Sequence, residues 1–131
     1  MNRREFMGGA AALAASSFAE QSAATKLPAS DQVNLAIIGP GSRGQQLMRT
    51  FLRVPGVRFG ALCDIYEPRW GQARKITGEN TRALKDYHEL LTAKDIDAVI
   101  VSTPLSLHSE HVTAALDSGH HVYGEKSMAL T

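Results

Sequence analysis

From Val33 onward the chain alternates between short β-branched or apolar runs and longer stretches whose apolar positions recur at helical spacing. The short runs, Val33 to Ile38, Val57 to Cys63, Ala98 to Ser102 and His121 to Tyr123, are too brief and too rich in Val and Ile for helices, so they predict strands. Leu47, Met48, Phe51 and Leu52 give one apolar face to a helix from about Arg43 to Arg53. Val112, Ala115 and Leu116 do the same from about His108 to Ser118, and Gly119 ends that helix. Pro68 suits the first turn of another helix. Asp86 with Glu89 reads as a capping box before Leu90 and Leu91. Strands alternating with helices predict βαβ units, hence an α/β, doubly wound, mostly parallel sheet with helices on both faces.

The first thirty residues break this pattern. Arg3 and Arg4 are followed by Phe6 and a weakly apolar stretch rich in Gly and Ala through Ala15, the order of a twin-arginine export signal. Ser17 and Ala19, or Ser22 and Ala24, offer a cleavage site, and Glu20 to Gln32 reads as a polar linker. The expected organisation is therefore a signal and linker over 1–30 and a folded domain over 31–131, periplasmic or otherwise exported. No membrane association is expected of the mature form, since the apolar run is too short to span a bilayer.

Composition narrows the class. Hydrophobic residues make up 44% and charged residues 21% of 131 positions, ordinary for one globular domain. The net charge of +1 comes from Arg3 and Arg4 against Glu5, and the remainder balances. A nucleic-acid partner, which needs a basic surface to neutralise phosphates, is disfavoured. Cys63 is the single cysteine, so neither an internal disulfide nor a cysteine-based metal site is available.

Directly after the first predicted strand comes Gly39-Pro40-Gly41-Ser42-Arg43-Gly44, a G-x-G-x-x-G turn leading into a helix. Gly39 permits the tight turn, Gly41 lets backbone approach a pyrophosphate, and Gly44 allows close helix-strand packing. The uncompensated N–H groups at the helix start favour an anion. Asp64 closes the second strand twenty residues after Gly44, where a carboxylate accepts hydrogen bonds from ribose hydroxyls. Together these predict dinucleotide binding. Asp64 favours NAD by repelling a 2′-phosphate, while Arg69 or Arg43 is placed to pair with that phosphate, leaving NADP as the alternative.

Further on, Thr103 and Pro104 sit at the carboxyl end of a predicted strand with His108 after them, and Glu125-Lys126 occupy the same edge on the next strand. With the glycine turn, Cys63-Asp64, Asp97-Ala98-Val99 and the stretch from Gly119 to Lys126, these motifs resemble in order the glucose-fructose oxidoreductase and inositol dehydrogenase family, Gfo/Idh/MocA, from about Val33 to Thr131. The resemblance implies that Lys126 lies beside the nicotinamide and orients substrate or moves a proton. It implies that Glu125 supports the ring end of the cofactor, and that Thr103, Pro104 and His108 line the dinucleotide groove. The family's proline after the Glu-Lys pair is replaced by Ser127. Burial near a cationic nicotinamide would fit Lys126 for proton exchange.

His88, His108, His111, His120 and His121 have no metal-ligand spacing, so no metal is expected. His108 and His111 share a helix face and read as cap and surface residues. The resemblance also implies a second α+β domain that carries most substrate contacts and is missing here. Residues 31–131 are then an incomplete Rossmann domain, expected to bind nucleotide without turnover. The full-length form is expected to be a homo-oligomer acting on a small-molecule carbohydrate. Three readings compete: an oxidoreductase acting on a sugar or polyol, a glycosidase of the same family that uses NAD transiently, and a non-catalytic nucleotide-binding module. A methyltransferase shares the glycine turn and the acid, but not the Thr-Pro and Glu-Lys edges.

Overall fold

The computed structural model describes residues 28–128; the expected signal, and the linker up to residue 27, lie outside them. Five parallel strands form one sheet in the order β3-β2-β1-β4-β5. They are β1 Val33–Ile38, β2 Val57–Cys63, β3 Arg82–Leu84, β4 Ala98–Val101 and β5 His121–Gly124. Four α-helices connect them: α1 Ser42–Phe51, α2 Pro68–Thr77, α3 Tyr87–Leu91 and α4 His108–Asp117. The α/β, doubly wound Rossmann architecture is the one expected.

The sheet is covered on both faces, which explains why β1 is buried from Asn34 to Ile38 without alternation. Leu35, Ile37, Phe59, Leu62 and Ile100 point to one face and pack with Leu47 and Met48 of α1 and Ala73 of α2. Ala36, Ile38, Ala61, Cys63, Val99 and Val101 point to the other, against Leu90 and Leu91 of α3 and Ala115 of α4. A register shift sets Gly60 outside the β1–β2 pairing, and Asn34 fills the space there. Its Nδ2 donates to the Asp95 carbonyl at 2.6 Å, and its backbone N–H donates to Asp97 Oδ2 at 2.7 Å, tying β1 to the segment that leads into β4.

Three details differ from the sequence pattern. The three-residue β3 was not foreseen; Arg82 is exposed, and Ala83 and Leu84 are too few to show a period. In α4 the buried face is His108, His111 and Ala115, while Leu116 is 56% exposed. The two imidazoles, expected as cap and surface residues, are buried, with protein groups at both nitrogens of His108 and at Nδ1 of His111. At α3, Asp86 caps through Oδ1, which accepts the His88 N–H at 2.8 Å, and His88 rather than Glu89 returns the contact through its ring.

Strand ends are flush. Ile38 pairs in register with Cys63 on one side and Val101 on the other, Cys63 with Leu84, and Val101 with Gly124. The residues that follow therefore form one layer, where Gly39 N donates to Cys63 O, Asp64 N to Leu84 O, Ser102 N to Ile38 O and Glu125 N to Val101 O. The chain winds outward from β1 to β3, then returns to β4 on β1's other side. That reversal opens a crevice above β1 and β4, the place where open α/β sheets hold ligands.

Candidate functional site

The crevice is built around the glycine turn, and its three glycines answer to different constraints. Gly39 has φ +84°, and a Cβ there would meet Thr103 Cγ2 at 2.8 Å. A Cβ on Gly44 would meet Ser102 Oγ at 2.6 Å and the Gly39 carbonyl at 2.7 Å, the two atoms that hydrogen-bond each other across β1 and β4. Both positions are glycine because the protein itself fills the space. Gly41 differs: a Cβ there would touch nothing within 4 Å, and its φ is an ordinary −73°. Neither packing nor backbone requires glycine there, and the space over it is open.

Gly41 is also the N-cap of α1, and no side chain caps that helix. The first N–H groups, on Ser42, Arg43 and Gly44, lack intrahelical acceptors, and the positive end of the helix dipole lies there with no acid in the first turn. An uncapped ten-residue helix aimed at open space fits a pyrophosphate.

Asp64 closes the crevice on the β2 side. It is 6% exposed, and its Oδ1 accepts the Tyr66 N–H at 2.8 Å. Arg69 Nη1 reaches its two carboxylate oxygens at 3.4 and 3.2 Å, and Trp70 Nε1 donates to its carbonyl at 3.0 Å. Ile65 and Tyr66 beside it are 79% and 57% exposed, and Arg69 stands 5.4 Å from the Tyr66 ring centre. This exposed apolar pair next to Asp64 was missed by the sequence reading; its signal was two large apolar residues immediately after the acid.

On the other side, Thr103 is fixed from three directions. Gly39 packs against it, its carbonyl accepts from His108 Nε2 at 2.6 Å, and its Oγ1 lies 3.0 Å from His111 Nδ1. Burial is the main cause that lowers the His111 pKa, so this ring is neutral near pH 7. Tyr87 of α3 packs edge-on against the same ring at 4.5 Å. Pro104 leads into a short 3-10 turn at Leu105–Leu107 that sets the start of α4.

Glu125 joins the glycine turn to β5. Its Oε1 accepts the Lys126 N–H at 2.8 Å, and its Oε2 pairs with Arg43 Nε. The Lys126 N–H first, then the Arg43 guanidinium, hold this carboxyl below the usual carboxylate range. Arg43 thus turns toward Glu125 and Gln46, not toward Asp64, and is not set to meet a 2′-phosphate. Arg43, Ser102, Thr103, His108, Glu125 and Lys126 border one cavity of about 290 Å³. Lys126 is exposed, so the burial expected for it is not supplied by the described residues.

A larger cleft of about 580 Å³ between α1 and α2 is lined by Arg49, Arg53 and Lys75 with Gln45 and Gln72. Arg49 and Lys75 stand in the last turns of their helices, where cations offset the dipole. Among the described residues no three His, Cys, Asp or Glu side chains gather as a metal site.

The sequence model of the Gfo/Idh/MocA family, described as an oxidoreductase family with an NAD-binding Rossmann fold, matches residues 33–131. A glycosyl hydrolase family 109 protein of Stenotrophomonas maltophilia is 36% identical over 129 residues, covering 91% of this chain and 28% of that protein. The WlbA dehydrogenase of Chromobacterium violaceum, solved with NADH and UDP-GlcNAcA, superposes with a TM-score of 0.70 at 26% identity, over 76% of this chain and 28% of that one. The scyllo-inositol dehydrogenase of Lactobacillus casei, solved with NAD(H) and scyllo-inositol, gives a TM-score of 0.70 over 76% of this chain and 29% of that one. At 24% identity this last likeness is one of fold. The chain spans less than a third of each of these proteins.

Proposed function

Because the chain belongs to the Gfo/Idh/MocA family of oxidoreductases and is its NAD-binding Rossmann domain, we propose that it serves an enzyme oxidising a hydroxyl-bearing carbon of a sugar or polyol. The observation that carries this reading is the space over Gly41, in front of an uncapped helix and in one layer with Asp64 and Glu125.

When bound, NAD supplies the hydride acceptor. The residues do the rest. The N–H groups of Ser42, Arg43 and Gly44 bind the pyrophosphate. Asp64 accepts hydrogen bonds from the adenosine ribose, and Ile65 and Tyr66 cover its base. Ser102, Thr103 and Pro104 would line the cofactor groove at the end of β4, with His108 behind them. Glu125, anchored by Arg43, sets the position of Lys126, whose neutral amine would orient the substrate hydroxyl and accept its proton.

A second reading rests on the relative from Stenotrophomonas maltophilia, named for glycosyl hydrolase family 109. Here the same hydride chemistry is transient, and a glycosidic bond is broken with no net oxidation. Assay of the full-length protein with NAD separates the two. Accumulation of NADH with a free sugar or polyol supports the dehydrogenase. Release of nitrophenol from a nitrophenyl glycoside without NADH supports the glycosidase, and neither product from a broad panel rules out both.

The paired Arg3 and Arg4 and the apolar run after them support export by the twin-arginine route. Replacing both arginines by lysine should then retain the full-length protein in the cytoplasm of a bacterial host; unchanged export would exclude that route.

A further inference from the structure

We propose that His108 is a positioning residue that aims Lys126, clamping the turn after β5 to the end of β4; the importance of that aim rests on the role given to Lys126 above. His108 is 3% exposed. Its Nδ1 lies 2.8 Å from the Ser127 carbonyl and its Nε2 lies 2.6 Å from the Thr103 carbonyl. A carbonyl oxygen can only accept, so the ring is the donor side of this link, which joins the end of β4 to the segment after β5.

Ser127 shows what the clamp holds. It has φ +42°, and is the only non-glycine with a positive φ among the described residues. Left-handed backbone in a serine persists where surroundings enforce it. The contact from His108 to Ser127 is one such enforcement, and the other fixes the residue before Lys126: Glu125 takes the Lys126 N–H and is held by Arg43. Proline, confined to φ near −65°, could not take the Ser127 conformation. The serine after the Glu-Lys pair and the histidine set against its carbonyl act as one device, with Lys126 between its two anchors.

The Thr103 contact spans five residues and is local to the turn into α4, whereas the Ser127 contact spans nineteen and is the one that ties the exit of β5 to the ring. Around the ring stand the neutral His111 one turn along α4 and three charged groups, Glu125 and Lys126 after β5 and Arg43 on α1, which borders the same cavity.

Nuclear magnetic resonance of the chain and kinetics of the full-length protein test this. In His108→Gln the amides of Lys126 and Ser127 should shift while those of Gly41 to Gly44 stay in place, and kcat of the full-length protein should fall with its KM for NAD unchanged. Amides of Lys126 and Ser127 that do not move, or a loss confined to the KM for NAD, overturn the clamp. The role of Lys126 fails separately: Lys126→Met would then leave turnover by the full-length protein unchanged while His108→Gln still moves the Ser127 amide.

Discussion

Arg69 Nη1 sits 3.2 Å from Asp64 Oδ2, so the carboxylate that follows β2 is already paired with a cation five residues further along the chain. The arginine side chain is 45% exposed and the aspartate side chain only 4%, so the arginine is the partner free to move. Its guanidinium screens the charge that would repel a 2′-phosphate. Arg69→Ala is expected to weaken NADP more than NAD, and Asp64→Ala to weaken NAD more than NADP. Charge-assisted hydrogen bonds are worth roughly 1.5–3 kcal/mol each, so losing those of Asp64 should cost NAD about tenfold or more. Calorimetric titration of both variants with both cofactors checks this; equal losses for the two cofactors in each variant would show that the pair selects nothing.

Gly39 and Gly41 should separate stability from binding. Gly41→Val meets open space, so the fold should melt near the parent temperature while dinucleotide affinity is lost. Gly39→Ala places a Cβ 2.8 Å from Thr103 Cγ2 at φ +84°. Left-handed backbone and overpacking together should cost on the order of 2 kcal/mol or more. Thermal melts paired with NAD titrations read both effects, and a Gly41→Val chain that still binds NAD would remove the pyrophosphate from this turn.

How much was legible follows from which interactions are local. The turn from Gly39 to Gly44 and the acid at Asp64 are written in adjacent residues and a fixed spacing, so sequence located them. Strands β1, β2 and β4 are central and buried on both faces, which leaves continuous apolar runs. Strand β3 is a short edge with an exposed arginine, and no period survives in three residues. The burial of His108 and His111 was illegible because their partners, Ser127 and Thr103, are brought to them by the sheet. Arg43 was placed in the groove but not against Glu125, a contact between residues 82 positions apart.

Cys63 gives an alkaline signature. Burial first, then the charge of Asp64, raises its thiol from 9.0 to about 12. The unfolded chain loses this proton near pH 9 while the folded chain keeps it. The thiol's contribution to stability is thus complete below pH 9 and declines as pH rises toward 12, by at most about 1.4 kcal/mol per pH unit. The stability of the parent relative to Cys63→Ala should be constant from pH 6 to 8 and fall above pH 9. Denaturant unfolding at each pH measures it; a difference that stays level to pH 11 would place the thiolate in the fold. The same burial should block maleimide labelling at pH 7.5 until the chain unfolds.

The 131-residue chain itself should bind NAD and turn over neither sugars nor glycosides. Of the groups bordering the cavity beside the glycine turn, Arg43 stays charged and is engaged by Glu125. Glu125 is held as a carboxylate by the Lys126 N–H and Arg43. Both nitrogens of His108 meet protein carbonyls. That leaves Lys126, exposed on a turn, as the proton-carrying side chain available to a substrate. Hydride transfer needs the reacting carbon held close to the nicotinamide and aligned with it, and such positioning supplies roughly 7–11 kcal/mol in well-oriented reactions. One exposed ammonium cannot supply it. The relative from Stenotrophomonas maltophilia is matched over only 28% of its length, which leaves room in proteins of that size for the missing contacts. The purified chain should therefore give a binding isotherm with NAD, no NADH from a panel of sugars and polyols, and no nitrophenol from nitrophenyl glycosides. Sustained turnover by this chain, lost in Lys126→Met, would show that the described residues are enough for catalysis.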